Sequence, residues 1–146
     1  MKKGSTLVES IVALAILLIA ATIAVEIGIA AAKSRKIRNI ENQADRVAYS
    51  IESEIKYNVT LDELNRAFNE NKISYKYSKD ILNKLTNTPI LNMERGNGII
   101  IEKLSNSIFT GEKSSKAISL KIRINDEEGG TLCEREFIKS YWMEKK

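Results

Sequence analysis

The chain has no histidine, one cysteine and one proline in 146 residues. Without histidine, the common nucleophilic triads and histidine metal sites are excluded. Cys133 stands alone, so no disulfide forms within the chain and the fold must rest on its apolar core. Such a cysteine is expected as a small buried hydrophobe rather than a reactive thiol. There is no glycine-rich phosphate loop. Asp126, Glu127 and Glu128 stand beside Gly129 in a turn pattern, where solvated acids are expected. These absences point away from an enzyme, and no cofactor or metal is expected.

An excess of one charge is also missing from most of the chain. The formal charge is +4, with a sequence pI of about 9.1. From residue 39 onward, however, 17 Lys and Arg stand against 17 Asp and Glu. The whole excess comes from Lys2, Lys3, Lys33, Arg35, Lys36 and Arg38, offset by Glu9 and Glu26. The downstream part is therefore neutral and offers no footprint for a polyanion, so nucleic acid is not an expected partner.

What the chain does have is a long apolar run. Residues 7–32 form a stretch of 26 in which 11–25 carry no charge. As a helix this is about 39 Å at 1.5 Å per residue, and a bilayer core needs roughly 20 apolar residues. The run is longer than a signal-peptide core of roughly 7–15 residues, and it can span a membrane. Glu9 near its start is unusual. An acid inside a spanning helix costs about 2.5–3.5 kcal/mol to insert and points to a function. The bland alternative is that Glu9 sits in the headgroup layer.

The segment Gly4, Ser5, Thr6, Leu7, Val8 and Glu9, with Lys2 and Lys3 before it and the apolar run after it, resembles the type IV prepilin signal. That family includes type IV pilins, competence-pilus pilins and type II secretion pseudopilins. The resemblance covers about the first 30 residues and implies cleavage between Gly4 and Ser5 by prepilin peptidase on the cytoplasmic side. It further implies N-methylation of Ser5, and it puts Glu9 at the family's near-constant glutamate. The implied partners are the peptidase, other pilin or pseudopilin subunits and an inner-membrane assembly platform. The implied location is a single-pass cytoplasmic membrane protein with its C-terminal domain outside, which then joins a surface or envelope fibre. Residues 12–16 (VALAI) are closer to minor pilins and minor pseudopilins than to major pilins. The pseudopilin at the extreme tip often lacks the glutamate, so Glu9 implies a subunit with a neighbour to pair with.

The chemistry follows from the residues. Cleavage turns a neutral peptide bond at Ser5 into an α-amine with a reference pKa near 8, largely protonated at neutral pH. That places a cation four residues from an acid that is otherwise unpaired in an apolar stretch. Between helices, a neighbour's amine meets Glu9 at only one axial offset, so the Ser5–Glu9 pair sets register while apolar contact supplies area. Two features depart from the family pattern: Ser5 replaces the usual phenylalanine, and no proline interrupts the spanning helix. Gly28 is its only helix weakener, read either as a melting point or as a close-packing glycine.

The flanks disagree with this orientation. Four basic residues follow the run and two precede it, so the positive-inside rule favours a cytoplasmic C-terminal part. The resemblance implies the opposite, and we follow the resemblance. The basic cluster 33–38 then reads as a headgroup-contacting collar, or as contacts to acids on neighbouring subunits.

Helical periodicity continues past the apolar run. Ile37, Ile40, Ala44, Val47, Ile51 and Ile55 form a stripe, with Glu41, Arg46 and Glu52 opposite. The spacing predicts one helix from about Thr6 to Tyr57, ending near Asn58. Thr60 and Glu63 have capping-box spacing for a short helix to about Glu70. Strands are predicted at Ile73, Tyr75 and Tyr77, at 99–104, at 118–124 and from Thr131 to about Trp142, the last with a bulge near Phe137 and Ile138. Residues 80–85 read as a helical turn, and 95–98 and 126–130 as turns. Tyr75, Tyr77, Tyr141 and Trp142 are expected as half-buried sheet residues more than as a binding surface. The loop 105–116 is the most exposed candidate for partner contacts.

The expected fold is α+β: a long N-terminal helix packed on a small antiparallel sheet, as in type IV pilins. Its segments are a leader (1–4), an apolar assembly helix (5–32), an amphipathic continuation (33–57) and a globular head (58–146). The expected function is that of a minor pilin or pseudopilin. The runner-up is a bitopic envelope interaction protein that is anchored but never polymerises.

Overall fold

The computed structural model describes residues 3–68, 72–78, 80–104 and 117–143. The loop 105–116 lies outside the described residues. The chain divides into two compact units, Met1–Asn39 and Ile40–Lys146. Helix α1 runs over Lys3–Tyr57 and is followed by α2 (Leu61–Ala67), β1 (Lys72–Tyr75), α3 (Ile81–Asn87), β2 (Ile99–Lys103), β3 (Ala117–Asn125) and β4 (Thr131–Ser140). Short 3-10 turns occupy Ile90–Asn92 and Tyr141–Met143. The strands form one sheet in the order β1-β2-β3-β4, every neighbouring pair antiparallel. The fold is α+β, a long N-terminal helix with a four-stranded antiparallel sheet.

Within the Ile40–Lys146 unit, Ala44, Val47, Ala48, Ile51 and Ile55 of α1 are buried in one cluster with the sheet's inner face. That face is Ile73 and Tyr75 of β1, Ile99 and Ile101 of β2, Ile118, Leu120, Ile122 and Ile124 of β3, and Phe137 of β4. The strict alternation on β3 is what a strand with one dry face requires. Each fully buried isoleucine contributes about 1.5–3 kcal/mol relative to exposure. Leu61 and Leu64 of α2 join the same core. Its N-terminus is the predicted capping box: the Glu63 amide donates to Thr60 Oγ1 at 3.2 Å, and the Thr60 amide donates to Glu63 Oε2 at 2.9 Å.

The α1 stripe is shorter than expected. Ile37 and Ile40 remain 47% and 38% exposed, and burial starts only at Ala44. Glu52, expected on the solvent side, is only 13% exposed and pairs with Lys56 at 2.6 Å. The short helix after Thr60 ends at Ala67, where the Phe68 amide donates to the Leu64 carbonyl. The turn at 80–85 is a two-turn helix, α3.

Three readings of the strands are corrected. Tyr77 lies beyond β1, because Tyr75 already turns the chain into a bridge with Arg95. Residues 95–98 are thus a segment running alongside 75–77 rather than a free turn. A Cβ on Gly98 would lie 2.5 Å from Tyr77 Cβ and 2.7 Å from its nitrogen, so only glycine permits this approach. Strand β4 ends at Ser140, opposite Ala117, the first described residue of β3. The irregularity on β4 sits at Leu132, not at Phe137 and Ile138. Cys133 faces Ile124, and Thr131 already faces Asn125, whereas Phe137 and Ile138 pair regularly with Leu120 and Ser119. The extra residue adjoins the tight 126–130 turn, where Asp126 Oδ1 accepts from the Glu128 and Gly130 amides and Gly129 adopts φ +87°.

The outer face of the sheet is a charge ladder. Glu134 Oε2 meets Lys121 at 2.7 Å and its Oε1 meets Arg123 Nε at 2.7 Å. Glu102 and Glu136 flank the pair at 3.7 Å each. These cross-strand contacts are solvated and contribute little singly, but they fix which face turns outward.

Candidate functional site

In the Met1–Asn39 unit, α1 is built from Ala, Leu and Ile, which favour helix or tolerate it. The one hydroxyl in the middle of the run is satisfied by its own helix, Thr22 Oγ1 donating to the Ile19 carbonyl at 2.8 Å. Leucine, isoleucine and valine side chains from Leu7 to Ile29 are half or more exposed, Leu17 reaching 68%. Among the described residues, none of the most apolar window is buried. This helix is long and apolar enough to cross a membrane.

Gly4 and Ser5 lie in the first turn of α1, and Glu9 lies one turn above Ser5 at the i,i+4 spacing. Glu9 is exposed, and its neighbours Leu7, Val8, Ile11 and Val12 are large exposed hydrophobics. A second exposed acid, Glu26, stands between Val25 and Ile27 on the same unit. Sequence reasoning counted it as charge and gave it no role, although its apolar surroundings are the same signal that singled out Glu9. A Cβ on Gly28 would meet nothing within 4 Å among the described residues, so no contact there accounts for its missing side chain.

Residues 1–25 match the prokaryotic N-terminal methylation motif. Gly4, Ser5 and Glu9 all fall within that stretch. The match supports a type IV prepilin-like precursor of the kind that prepilin peptidase processes. Joined to the one helix long and apolar enough to cross a membrane among the described residues, it supports a membrane-anchored, single-pass protein. No curated protein and no solved structure matches the chain significantly.

In the second unit the structure gathers a polar cluster that periodicity did not reveal. The inward positions of β4 include Arg135 and Lys139, not only apolar residues. Arg135 Nη2 donates to Asp45 Oδ1 at 3.0 Å and Nη1 to Glu52 Oε2 at 3.3 Å, and its guanidinium lies 5.6 Å from the Tyr49 ring. The hydrogen bond to Asp45 is the main reason its pKa rises. Lys139 is fully buried and donates to the Lys56 carbonyl at 2.9 Å. Cys133 is half-buried, with Sγ 3.7 Å from Asp45 Oδ1. Burial first, then the nearby carboxylate, pushes its thiol pKa up.

The aromatics separate. Tyr75 is completely buried beneath the Arg95 guanidinium, 4.9 Å from the ring, and burial raises its pKa. Tyr77 is half-buried against the core. Tyr141 and Trp142, expected in the last strand, are 42% and 68% exposed on the 3-10 turn that follows it.

Proposed function

We propose that the chain is a minor pilin or pseudopilin, a non-catalytic subunit of a type IV pilus-like or type II secretion-like fibre. Prepilin peptidase cuts between Gly4 and Ser5 on the cytoplasmic side, and the new Ser5 amine is methylated. The C-terminal domain lies outside, and the subunit passes through an inner-membrane assembly platform into the fibre. The observation that carries this reading is an acidic Glu9 placed one turn above the matched cleavage point, on a helical stretch whose large apolar side chains from Leu7 to Ile29 are exposed among the described residues. Cleavage supplies the missing cation. A neighbouring helix then supplies both the apolar cover and the amine that neutralises Glu9.

A second reading is a bitopic envelope interaction protein, anchored by its N-terminal helix and never polymerising; the basic cluster at 33–38, which the positive-inside rule puts on the cytoplasmic side, speaks against the prepilin orientation. N-terminal sequencing separates the two. Membrane protein from cells with an active prepilin peptidase should begin at Ser5, and protein from cells lacking it at Met1. A Met1 start in both would decide for the anchor.

A further inference from the structure

Glu26 and the cationic cluster 33–38 are left unused by the pairing of Ser5 with Glu9. Both lie on the same helical unit, and no hydrogen bond or ion pair described within the chain joins them. A glutamate among the exposed Val25, Ile27 and Ile29 is costly to enclose in a helix bundle unless a cation meets it there. Resting on the fibre reading above, we propose that Glu26 forms a second intersubunit charge pair, with Lys33 of another copy of this chain.

The argument is one of offset. When the Ser5 amine of one copy is level with Glu9 of a parallel neighbour, the first copy is displaced upward by four residues, about 6 Å. For Glu26 of that same displaced copy to be level with Lys33 of the same neighbour, the displacement is seven residues, about 10 Å. Both shifts have the same sense. An intermediate shift of five to six residues, about 8 Å, leaves each pair only about 2 Å from level, well within the span of their side chains. Had the basic cluster preceded Glu26 rather than followed it, the two pairs would demand opposite displacements. On the neighbour, Glu9 and Lys33 stand about 120° apart at 100° per residue, an arc that the long lysine stem lets one helix cover.

The occupant is a second copy because acid and cation are carried by one segment at a fixed separation. Such an interface is head-to-tail, so two paired copies do not close on each other and leave both ends open to other subunits of the fibre. Two charge pairs about 30 Å apart along the helix also specify register more strictly than one, since slippage breaks both. The cluster at 33–38 therefore has a partner at fibre depth, not only headgroups.

The test uses the full-length chain in cells with an active prepilin peptidase, scored by N-terminal cleavage and by recovery of the chain in sheared fibres. Glu26→Lys and Lys33→Glu should each be cleaved normally and enter fibres roughly tenfold less well or worse. The double variant Glu26→Lys/Lys33→Glu should recover most of the loss. Undiminished fibre entry of both single charge reversals, or double-variant entry no better than either single, overturns the pairing and leaves the fibre reading intact. An uncleaved parent chain that never leaves the membrane overturns both.

Discussion

The ammonium of Lys139, at the end of β4, donates to the carbonyl of Lys56 in the last turn of α1. A helix leaves its final carbonyls without partners, and here a fully buried lysine supplies one. The apolar stem fills core space while the charged tip satisfies the helix end, where the macrodipole also favours a cation.

Replacing Lys139 with alanine should therefore lower stability by about 2–4 kcal/mol, through the vacated volume together with the orphaned carbonyl. Lys139→Met keeps most of the volume and should cost less, about 0–2 kcal/mol, because it also spares the burial of a charge. Chemical denaturation of the detergent-solubilised chain measures both. Equal losses would show that volume is irrelevant and that the charge alone matters.

The Arg135 cluster should divide unequally. Glu52 is 13% exposed and Asp45 58%, although both bond the same guanidinium. Glu52→Ala removes charge-assisted bonds to Arg135 and to Lys56 from a sheltered place and should cost about 1–3 kcal/mol. Asp45→Ala acts on an exposed pair and should cost less than about 1 kcal/mol. Denaturation midpoints of the two variants give the ranking, and a larger loss for Asp45→Ala would reverse it.

The acid limb of stability should depend on two glutamates. Glu63 is held below its ordinary pKa by the Thr60 amide and then by the Thr60 hydroxyl, and Glu134 by Lys121 and then Arg123. A carboxylate whose pKa falls on folding adds stability above its unfolded value, and that stability is lost as pH falls through the folded value. Stability should therefore be flat from about pH 5 to 7, where no histidine titrates, and should decline below about 4.3. Glu63→Gln and Glu134→Gln should each shallow that decline in denaturation midpoints followed against pH. Lys121, raised chiefly by its bond to Glu134, contributes below its ordinary value and loses that only in strong alkali.

How much of this was legible beforehand follows from what each element faces. Strand β3 buries alternate Ile118, Leu120, Ile122 and Ile124 on one dry face, so period two stands out. The capping box at Thr60 is local and was readable from two residues. Strand β4 hid its register because the inward series is Cys133, Arg135, Phe137 and Lys139, polar residues turned inward toward carboxylates and a carbonyl on α1. Their partners are about 80 to 90 residues away in the chain, beyond any window of periodicity. The α1 stripe was overextended toward Ile37 and Ile40 for the opposite reason: periodicity marks a face but not how far a partner covers it. At the N-terminal site, Glu9 was found because the acid interrupts an apolar run. Glu26 interrupts the run in the same way nearer its far end, where charge counting alone gives it no role.

The reading of the N-terminal site stands on Glu9, and Glu9→Val tests it most directly. The substitution leaves the Gly4–Ser5 bond and the apolar helix in place, so cleavage to a Ser5 start should proceed as in the parent. Membrane insertion should be no worse, since an acid has been replaced by an apolar residue. What is lost is the group that a neighbour's amine meets at one offset, so recovery in sheared fibres should fall by at least roughly tenfold. N-terminal sequencing and fibre recovery from the same cells separate the two steps. A variant that is cleaved and also polymerises like the parent would show that apolar contact alone sets the register, and that the amine released at Ser5 has no acid to find.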